Sequence, residues 1–378
     1  MKIIVIGAGL SGAAMAGALA RRGVQVTVLD AAPSAATSAS SIPAGLMAPH
    51  VSKDNNLTSQ LIRLGIAYTL SEVQRLLREG IDWQVCGAHY TSLKASPAEK
   101  LYPLWQANAT WIKPAALVHA WLAQPGITFI GNSKVQRIVH HRPDASSAAH
   151  WQVFDASGRC LAQASHIVIA TASASVQFAP LELHPVAGQV IYGAWTSAWQ
   201  QTSPQRGGLH HAVNGNGHFI PAVTGDANNA NVTLPSAFWL SGSTYEHDAL
   251  ETDISPQSMQ VNCDRLAQLL PACAALLHTE AQSNRLSTWV GTRCTTRDRM
   301  PAVGEVRLPD QTNLIKNLGL YTLTGMGSRG LSFAALCADY LAGQIMGEPS
   351  SLPSALQKAI HPARLQKVLW QNLPKRTS

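Results

Sequence analysis

The chain opens on Ile3-Ile4-Val5-Ile6, an uninterrupted apolar and β-branched run of the kind that forms a strand buried on both faces. Gly7-Ala8-Gly9-Leu10-Ser11-Gly12 follows at once. A helical spacing then puts Ala16 and Leu19 on one face and stops at Gly23, a residue suited to a helix C-terminus. Val26, Val28 and Leu29 predict a second strand, with Asp30 at its end. After about residue 50 this arrangement breaks off, and it resumes near Ile127 to Ala172, where His166 to Ala172 reads as another apolar strand ending in small residues. The pattern then changes to alternation. Val186 to Tyr192, His218 to Pro221 and Phe238 to Leu240 read as strands, with Asn214-Gly215 and Asn216-Gly217 marking a hairpin turn. Leu266, Leu269 and Leu270 predict a helix that Pro271 ends. A second glycine-rich stretch, Gly325 to Gly330, precedes Leu331 to Met346, where Leu336, Tyr340 and Ile345 keep helical spacing. No internal repeat is present.

Strand, glycines, helix, strand and terminal acid in that order, within 30 residues, describe a dinucleotide cradle. Gly7 allows the tight turn, Gly9 lets backbone approach a pyrophosphate, and Gly12 lets the helix pack close on the strand. The pyrophosphate sits on unpaired N–H groups at the positive end of the helix. Asp30, 18 residues past Gly12, can accept hydrogen bonds from the adenosine ribose. The motif alone does not decide between NAD and FAD. Further glycine stations at Gly304 and at Gly325 to Gly330 suit a longer cofactor that runs through the protein, which favours FAD.

Composition narrows the picture. The 378 residues are 46% hydrophobic and 13% charged, which excludes disorder and suggests two domains. The net charge of +7 permits an anionic partner without demanding one. Past Glu348 there is no acid, while Lys358, Arg364, Lys367, Lys375 and Arg376 form a basic tail, which reads first as a solvated tail. Cys86, Cys160, Cys263, Cys273, Cys294 and Cys337 include no CxxC pair, and this sparse usage fits a reducing cytoplasm. Ile3 to Ala20 imitates a signal peptide, but its glycines and the closing Arg21-Arg22 favour the cradle. No other stretch is apolar enough for a membrane helix. No metal site is readable, because His140-His141 and His210-His211 are adjacent pairs without ligand spacing.

Gly291-Thr292-Arg293-Cys294-Thr295-Thr296-Arg297-Asp298-Arg299-Met300-Pro301-Ala302-Val303-Gly304 resembles the C-terminal signature of the D-amino-acid oxidase and glycine oxidase superfamily. Its RCTTRDRMPAVG form is closer still to the flavin-dependent oxidoreductase domain of the MnmC family, the bifunctional proteins of tRNA 5-methylaminomethyl-2-thiouridine biosynthesis. Ala44 to Asn56, Gly188 to Val190, Gly242 to Tyr245, Gly327 to Leu336 and His361 to Arg364 resemble that domain too, so the likeness runs over nearly the whole chain. Where that family is expected to have Tyr before Pro, this chain has Ala48-Pro49-His50. With Met1 just ahead of the first strand, the methyltransferase domain of that family is expected to be missing, so a separate methyltransferase would be a partner.

The resemblance implies an α/β plus β fold of the D-amino-acid oxidase type. A discontinuous Rossmann-like FAD-binding domain (residues 1–80, 127–180 and 285–378) would carry an inserted antiparallel β-rich substrate domain (81–126 and 181–284). It implies FAD contacts at Gly7, Gly9, Leu10, Ser11, Gly12, Asp30, Gly45, Leu46, Met47, Val135, Thr171, Gly304, Gly327, Ser328, Arg329, Gly330 and Leu331. Arg293 is implied as the grip on a substrate carboxylate, the alternative being a structural arginine paired with Asp298. Arg329 is implied to bind substrate or the flavin's pyrimidine edge. Tyr245 either orients the substrate or is a buried tyrosine with a satisfied hydroxyl. No histidine is singled out as a base; His50 stands near the expected flavin loop.

The implied reaction removes the carboxymethyl group from carboxymethylaminomethyl-(2-thio)uridine at the tRNA wobble position, giving aminomethyluridine and glyoxylate. Such a tRNA partner, held near its anticodon, would use the basic tail and stack bases on exposed tryptophans. The competing expectations are oxidation of a free amino acid (glycine, sarcosine or a D-amino acid) and a non-catalytic flavin-binding accessory protein.

Overall fold

In the computed structural model the Ile3–Ile6 run is the centre of a sheet. The structure describes all residues except 51, 53, 92–104, 143–148, 203–209, 226–233, 248–255, 310–313, 316–317, 351 and 367–378. Lys2–Ile6 is flanked by Gln25–Leu29 and His166–Ile169, and the sheet extends to Ile127–Ile130 on one side and Leu320–Thr324 then Ala302–Glu305 on the other. Its pairings are parallel apart from that between Ala302–Glu305 and Leu320–Thr324. The two faces of the sheet are covered, so Ile3, Ile4, Val5 and Ile6 are all buried, as a doubly covered parallel strand requires.

Helix Leu10–Ala20 lies on one face, sandwiched with helices Leu57–Leu76 and Gly330–Met346. Thr69 Oγ1 donates to Leu331 O at 2.7 Å across the latter pair. Arg22, just past helix Leu10–Ala20, ties it to Gly330–Met346, 2.8 Å from Asp339 within that helix and 2.9 Å from Glu348 just beyond it. The other face carries a three-stranded antiparallel sheet, Arg137–His141, His150–Phe154 and Cys160–Ala164. This meander separates Ile127–Ile130 from His166–Ile169, which the hydrophobic pattern alone ran together.

An eight-stranded sheet forms the second half of the molecule. Its spine is His184–Ala194, paired antiparallel with Ala237–Gly242 on one side and Ser287–Thr295 on the other. Gly217–Thr224, Ala212–Gly215, Ala88–Tyr90 and Trp105–Gln106 extend it toward an edge. The Asn-Gly pairs do form the expected hairpin, with Gly215 opposite Gly217. Helices Pro256–Leu269 and Ala274–Gln282 cover one face, over Phe219, Trp199 and Trp239. The opposite face, carrying Val190, Ile220 and Leu240, packs with Ala44 and Trp111 of a small sheet made of Gly45–Met47, Thr110–Ile112 and Trp83–Val85. This is the mixed α/β plus antiparallel β architecture expected of a D-amino-acid oxidase-type fold. The six cysteines are free thiols. Among the described residues no helix is long and apolar enough to cross a membrane. Of the basic tail, Lys367, Lys375 and Arg376 lie outside the described residues, Lys358 ends helix Ser354–Ile360, and Arg364 is bound to Asp298.

Candidate active site

Between the parallel sheet and the eight-stranded sheet runs one cavity of about 560 Å³. Its near end is the cradle: Gly7, Gly9, Leu10, Ser11 and Asp30 line it, with Ser40 and Val135 alongside. Gly12 does not line it and acts from behind. A Cβ at Gly12 would stand 1.8 Å from the Gly7 carbonyl oxygen, so only glycine lets the helix start this close to the strand. Helix Leu10–Ala20 begins on Gly9, which supplies no side-chain cap, and has no acid in its first turn; Leu10 N donates to Ser40 Oγ at 3.0 Å, and the positive end of the helix still faces the cavity. Asp30 is already engaged: Oδ2 accepts from Ala8 N at 2.6 Å and Oδ1 from Ala32 N at 2.8 Å. Each oxygen keeps a second acceptor site for a ribose hydroxyl.

The far end is built by four separate segments. Gly45 and Leu46 of the small sheet line one wall, and Thr171 stands where the central strands end. Gly327, Ser328, Arg329, Gly330 and Leu331 bring the start of helix Gly330–Met346 against the cavity, again with no acid in its first turn. Arg293, Tyr245, His218 and Trp289 enter from the eight-stranded sheet. Two anticipated contacts fall elsewhere. Met47 does not line the cavity: its side chain is buried in the core that packs on the helices, while Gly45, on the same face of the strand, has no side chain and borders the cavity with its backbone. Gly304 does not reach the cavity; it sits in strand Ala302–Glu305, where a Cβ would lie 3.2 Å from Pro362 Cδ.

Among the described residues Arg293 is held without a counter-charge. Its Nη2 donates to Ser243 Oγ at 2.6 Å and its Nη1 to Thr244 O at 3.3 Å, and its guanidinium carbon lies 4.6 Å from the centroid of the Tyr245 ring. Burial pushes its pKa down, opposed by the nearby Tyr245 hydroxyl. The structural alternative fails, because Asp298 takes Arg364 instead, at 2.7 Å to Nε, and also accepts from Thr296 and the Met300 N–H. Tyr245 is 54% exposed, which removes the buried-tyrosine alternative. Arg329 also has a lowered pKa, from burial first and the like charge of Arg299 second. Among the described residues neither Arg293 nor Arg329 forms an ion pair, so two cations border one end of the cavity. Two such guanidinium groups could together hold a carboxylate.

Sequence reading missed three further lining groups. Trp289 donates from Nε1 to Ser41 Oγ at 3.0 Å, tying the two halves of the wall. His218 is pushed down to about 4 by burial, and secondarily by Arg293, so its imidazole is neutral at pH 7. The buried His218 Nε2 and Thr292 Oγ1 have no partner among the described residues. A lone histidine or threonine within an alternating strand carries no signal of this kind. These orphaned atoms, the acid-free helix start and the cavity that runs from Asp30 to Arg293 fit an FAD with its adenosine at the cradle and its ring at the far end.

Gly188, opposite Gly291 on the spine strand, sets where Arg293 can sit. A Cβ there would meet Nη1 and Nη2 of Arg293 at 2.4 and 2.5 Å and the Thr244 carbonyl oxygen at 2.6 Å. Gly188→Ala is therefore expected to keep FAD content while raising the KM of the amine substrate at least roughly tenfold, which equals about 1.4 kcal/mol. Steady-state kinetics with a flavin-content measurement checks it; an unchanged KM would show that the guanidinium position is not what the carboxylate needs.

A parallel nucleotide-binding sheet, with an antiparallel sheet closing over the reactive end of its cavity, defines a dinucleotide-dependent redox enzyme. The chain belongs to the FAD-dependent oxidoreductase family, whose profile matches residues 2–107 and 97–344. It is 37% identical, over 95% of its length, to the tRNA 5-methylaminomethyl-2-thiouridine biosynthesis bifunctional protein MnmC of Polaromonas sp. strain JS666, and covers 59% of that protein. The chain thus spans about three fifths of such curated relatives. Among solved structures it shares its fold with glycine oxidase from Geobacillus kaustophilus, at TM-score 0.67 and 18% identity over 96% of this chain and 98% of that one. L-proline dehydrogenase from P. horikoshii gives TM-score 0.69 at 14% identity, covering 97% and 98%.

Proposed function

We propose that this enzyme oxidises the carboxymethylaminomethyl group of a wobble uridine in tRNA, releasing glyoxylate and leaving aminomethyluridine. The observation that carries the reading is Arg293, a half-buried cation at the far end of the cavity with no acidic partner among the described residues, in a chain similar to the tRNA 5-methylaminomethyl-2-thiouridine biosynthesis bifunctional protein MnmC. FAD, when bound, accepts the hydride of the CH₂ between nitrogen and carboxylate.

The chain's own residues do the rest. Arg293 holds the carboxylate and so fixes that CH₂ in the cavity, with Ser243 and Thr244 fixing Arg293 in turn. Arg329, which also lines the cavity, adds positive potential that favours the carboxylate and disfavours a protonated amine. The neutral His218 imidazole adds no further charge beside the amine. The amine proton leaves to solvent, and the resulting substrate imine takes up one water to give the primary amine and glyoxylate. The first-turn N–H groups of helix Gly330–Met346 face the cavity and would help hold a bound flavin by supplying positive potential beside it. Gly7, Gly9, Leu10 and Ser11 would hold the pyrophosphate, Asp30 the ribose, and Val135 and Thr171 the walls between.

Nucleoside analysis tests the reaction. After incubation of the FAD-loaded protein with tRNA bearing carboxymethylaminomethyluridine, mass spectrometry is expected to show aminomethyluridine and glyoxylate in equal amounts. Oxidation of glycine, N-methylglycine or a D-amino acid with the tRNA nucleoside left intact would replace this reading with a free amino acid oxidase.

A further inference from the structure

Beside the ring end lies a second chamber of about 450 Å³. His50, His218 and Arg329 line both spaces, so the two adjoin, whereas Arg293 belongs to the first alone. The new walls are polar and come from the sheet edge. Asn214 is paired with Tyr90, and Gln106 with Ala88, so Tyr90, Gln106 and Asn214 share the face that looks into the chamber.

The chamber carries its own unmet hydrogen bonds. Gln106 Nε2 donates to Pro49 O at 2.8 Å, which fixes the orientation of the amide. Its Oε1 is then left buried with no partner among the described residues, as is His218 Nε2. An orphaned buried acceptor is costly unless a ligand brings a donor to it. In the proposed substrate the amine stands one carbon from the carboxylate and one carbon from C5 of the base. With the carboxylate on Arg293, the base must occupy space that adjoins the first cavity on the side away from Arg293, and the chamber meets both conditions.

We propose that the second chamber receives the substrate's pyrimidine base, extruded from its stack, with Gln106 Oε1 accepting the ring N3–H and Tyr90 contacting the base. The inference rests on the tRNA reading above and adds the recognition step. A uracil edge presents one N–H donor between two carbonyl acceptors, and Asn214 offers amide donors to such a carbonyl. Tyr90, 38% exposed at the chamber, supplies an aromatic surface, and base–aromatic contact of this kind is a common way to hold a flipped nucleotide. Recognition of the base would let a chemically small reaction be confined to a nucleoside, since oxidation at the carboxymethyl arm alone makes no use of Gln106 or Asn214.

The holoenzyme tests this with three amines: 5-carboxymethylaminomethyluridine, its N3-methyl derivative, and N-methylglycine. Wild type is expected to show at least tenfold lower kcat/KM for the N3-methyl form than for the parent nucleoside. Gln106→Leu is expected to lower the ratio of kcat/KM for nucleoside over N-methylglycine at least tenfold. Calorimetric binding of the product aminomethyluridine is expected to weaken at least tenfold in the same variant. Equal losses on nucleoside and N-methylglycine would show that Gln106 only supports the Pro49 loop, and would overturn the inference while leaving the tRNA reaction standing, as would equal turnover of the N3-methyl form. A wild type that oxidises N-methylglycine but neither the nucleoside nor modified tRNA would remove both.

Discussion

Arg293→Ala is expected to retain FAD and to lose substrate. A charge-assisted hydrogen bond between guanidinium and carboxylate contributes about 1.5–3 kcal/mol, so kcat/KM should fall roughly tenfold to a hundredfold or more. Most of the loss should sit in KM, because the carboxylate is held before and during the reaction alike. Arg293→Lys should recover only part of it: an ammonium keeps the charge but loses the planar fork and cannot lie over the Tyr245 ring in the same way. The alanine variant leaves no buried charge behind, since Ser243 and Thr244 present only a hydroxyl and a carbonyl. Its melting temperature should therefore move little. Stopped-flow reduction of the bound flavin against substrate concentration gives the comparison; an unchanged concentration dependence would take Arg293 out of the site.

Gly12→Ala should act at the other end of the cavity and on the cofactor itself. The added Cβ would press 1.8 Å from a backbone oxygen, not from a side chain that can rotate away. Either helix Leu10–Ala20 lifts off the sheet or the Gly7 turn opens, and both displace the first-turn N–H groups from the phosphate position. The variant is expected to purify largely without FAD and to need at least roughly a hundredfold more FAD to be reloaded, a loss of about 2.7 kcal/mol. The same strain lowers the thermal midpoint of the apoprotein. Fluorescence titration with FAD and a thermal melt read the two effects; full flavin content after purification would contradict the role given to the helix start.

The cradle was legible because its parts are local. Strand, turn, helix and acid fall within 30 residues, and each residue type has one geometric reason to be there. Arg293, Tyr245 and the Gly327–Leu331 turn were legible through family resemblance, and the structure brings them to one cavity although they lie far apart in the chain. Gly304 does not line the cavity; its backbone, with φ of 136°, lies where strand Ala302–Glu305 passes Pro362. Met47 shares its strand face with Gly45, but its long side chain is drawn into the helix-packed core and does not line the cavity. The second chamber was not legible at all. Gln106 and Asn214 are neutral polar residues 108 positions apart, and nothing in a single sequence announces that they flank strand Ala88–Tyr90 on one face of the sheet.

Anaerobic reduction of the bound flavin joins the cofactor site, the carboxylate grip and the tRNA substrate in one measurement. With tRNA carrying carboxymethylaminomethyluridine, the yellow absorbance of the wild-type holoenzyme is expected to bleach stoichiometrically, and Arg293→Ala should require at least roughly tenfold more tRNA for the same rate. Absorbance that persists with modified tRNA yet bleaches with glycine or a D-amino acid would contradict the account.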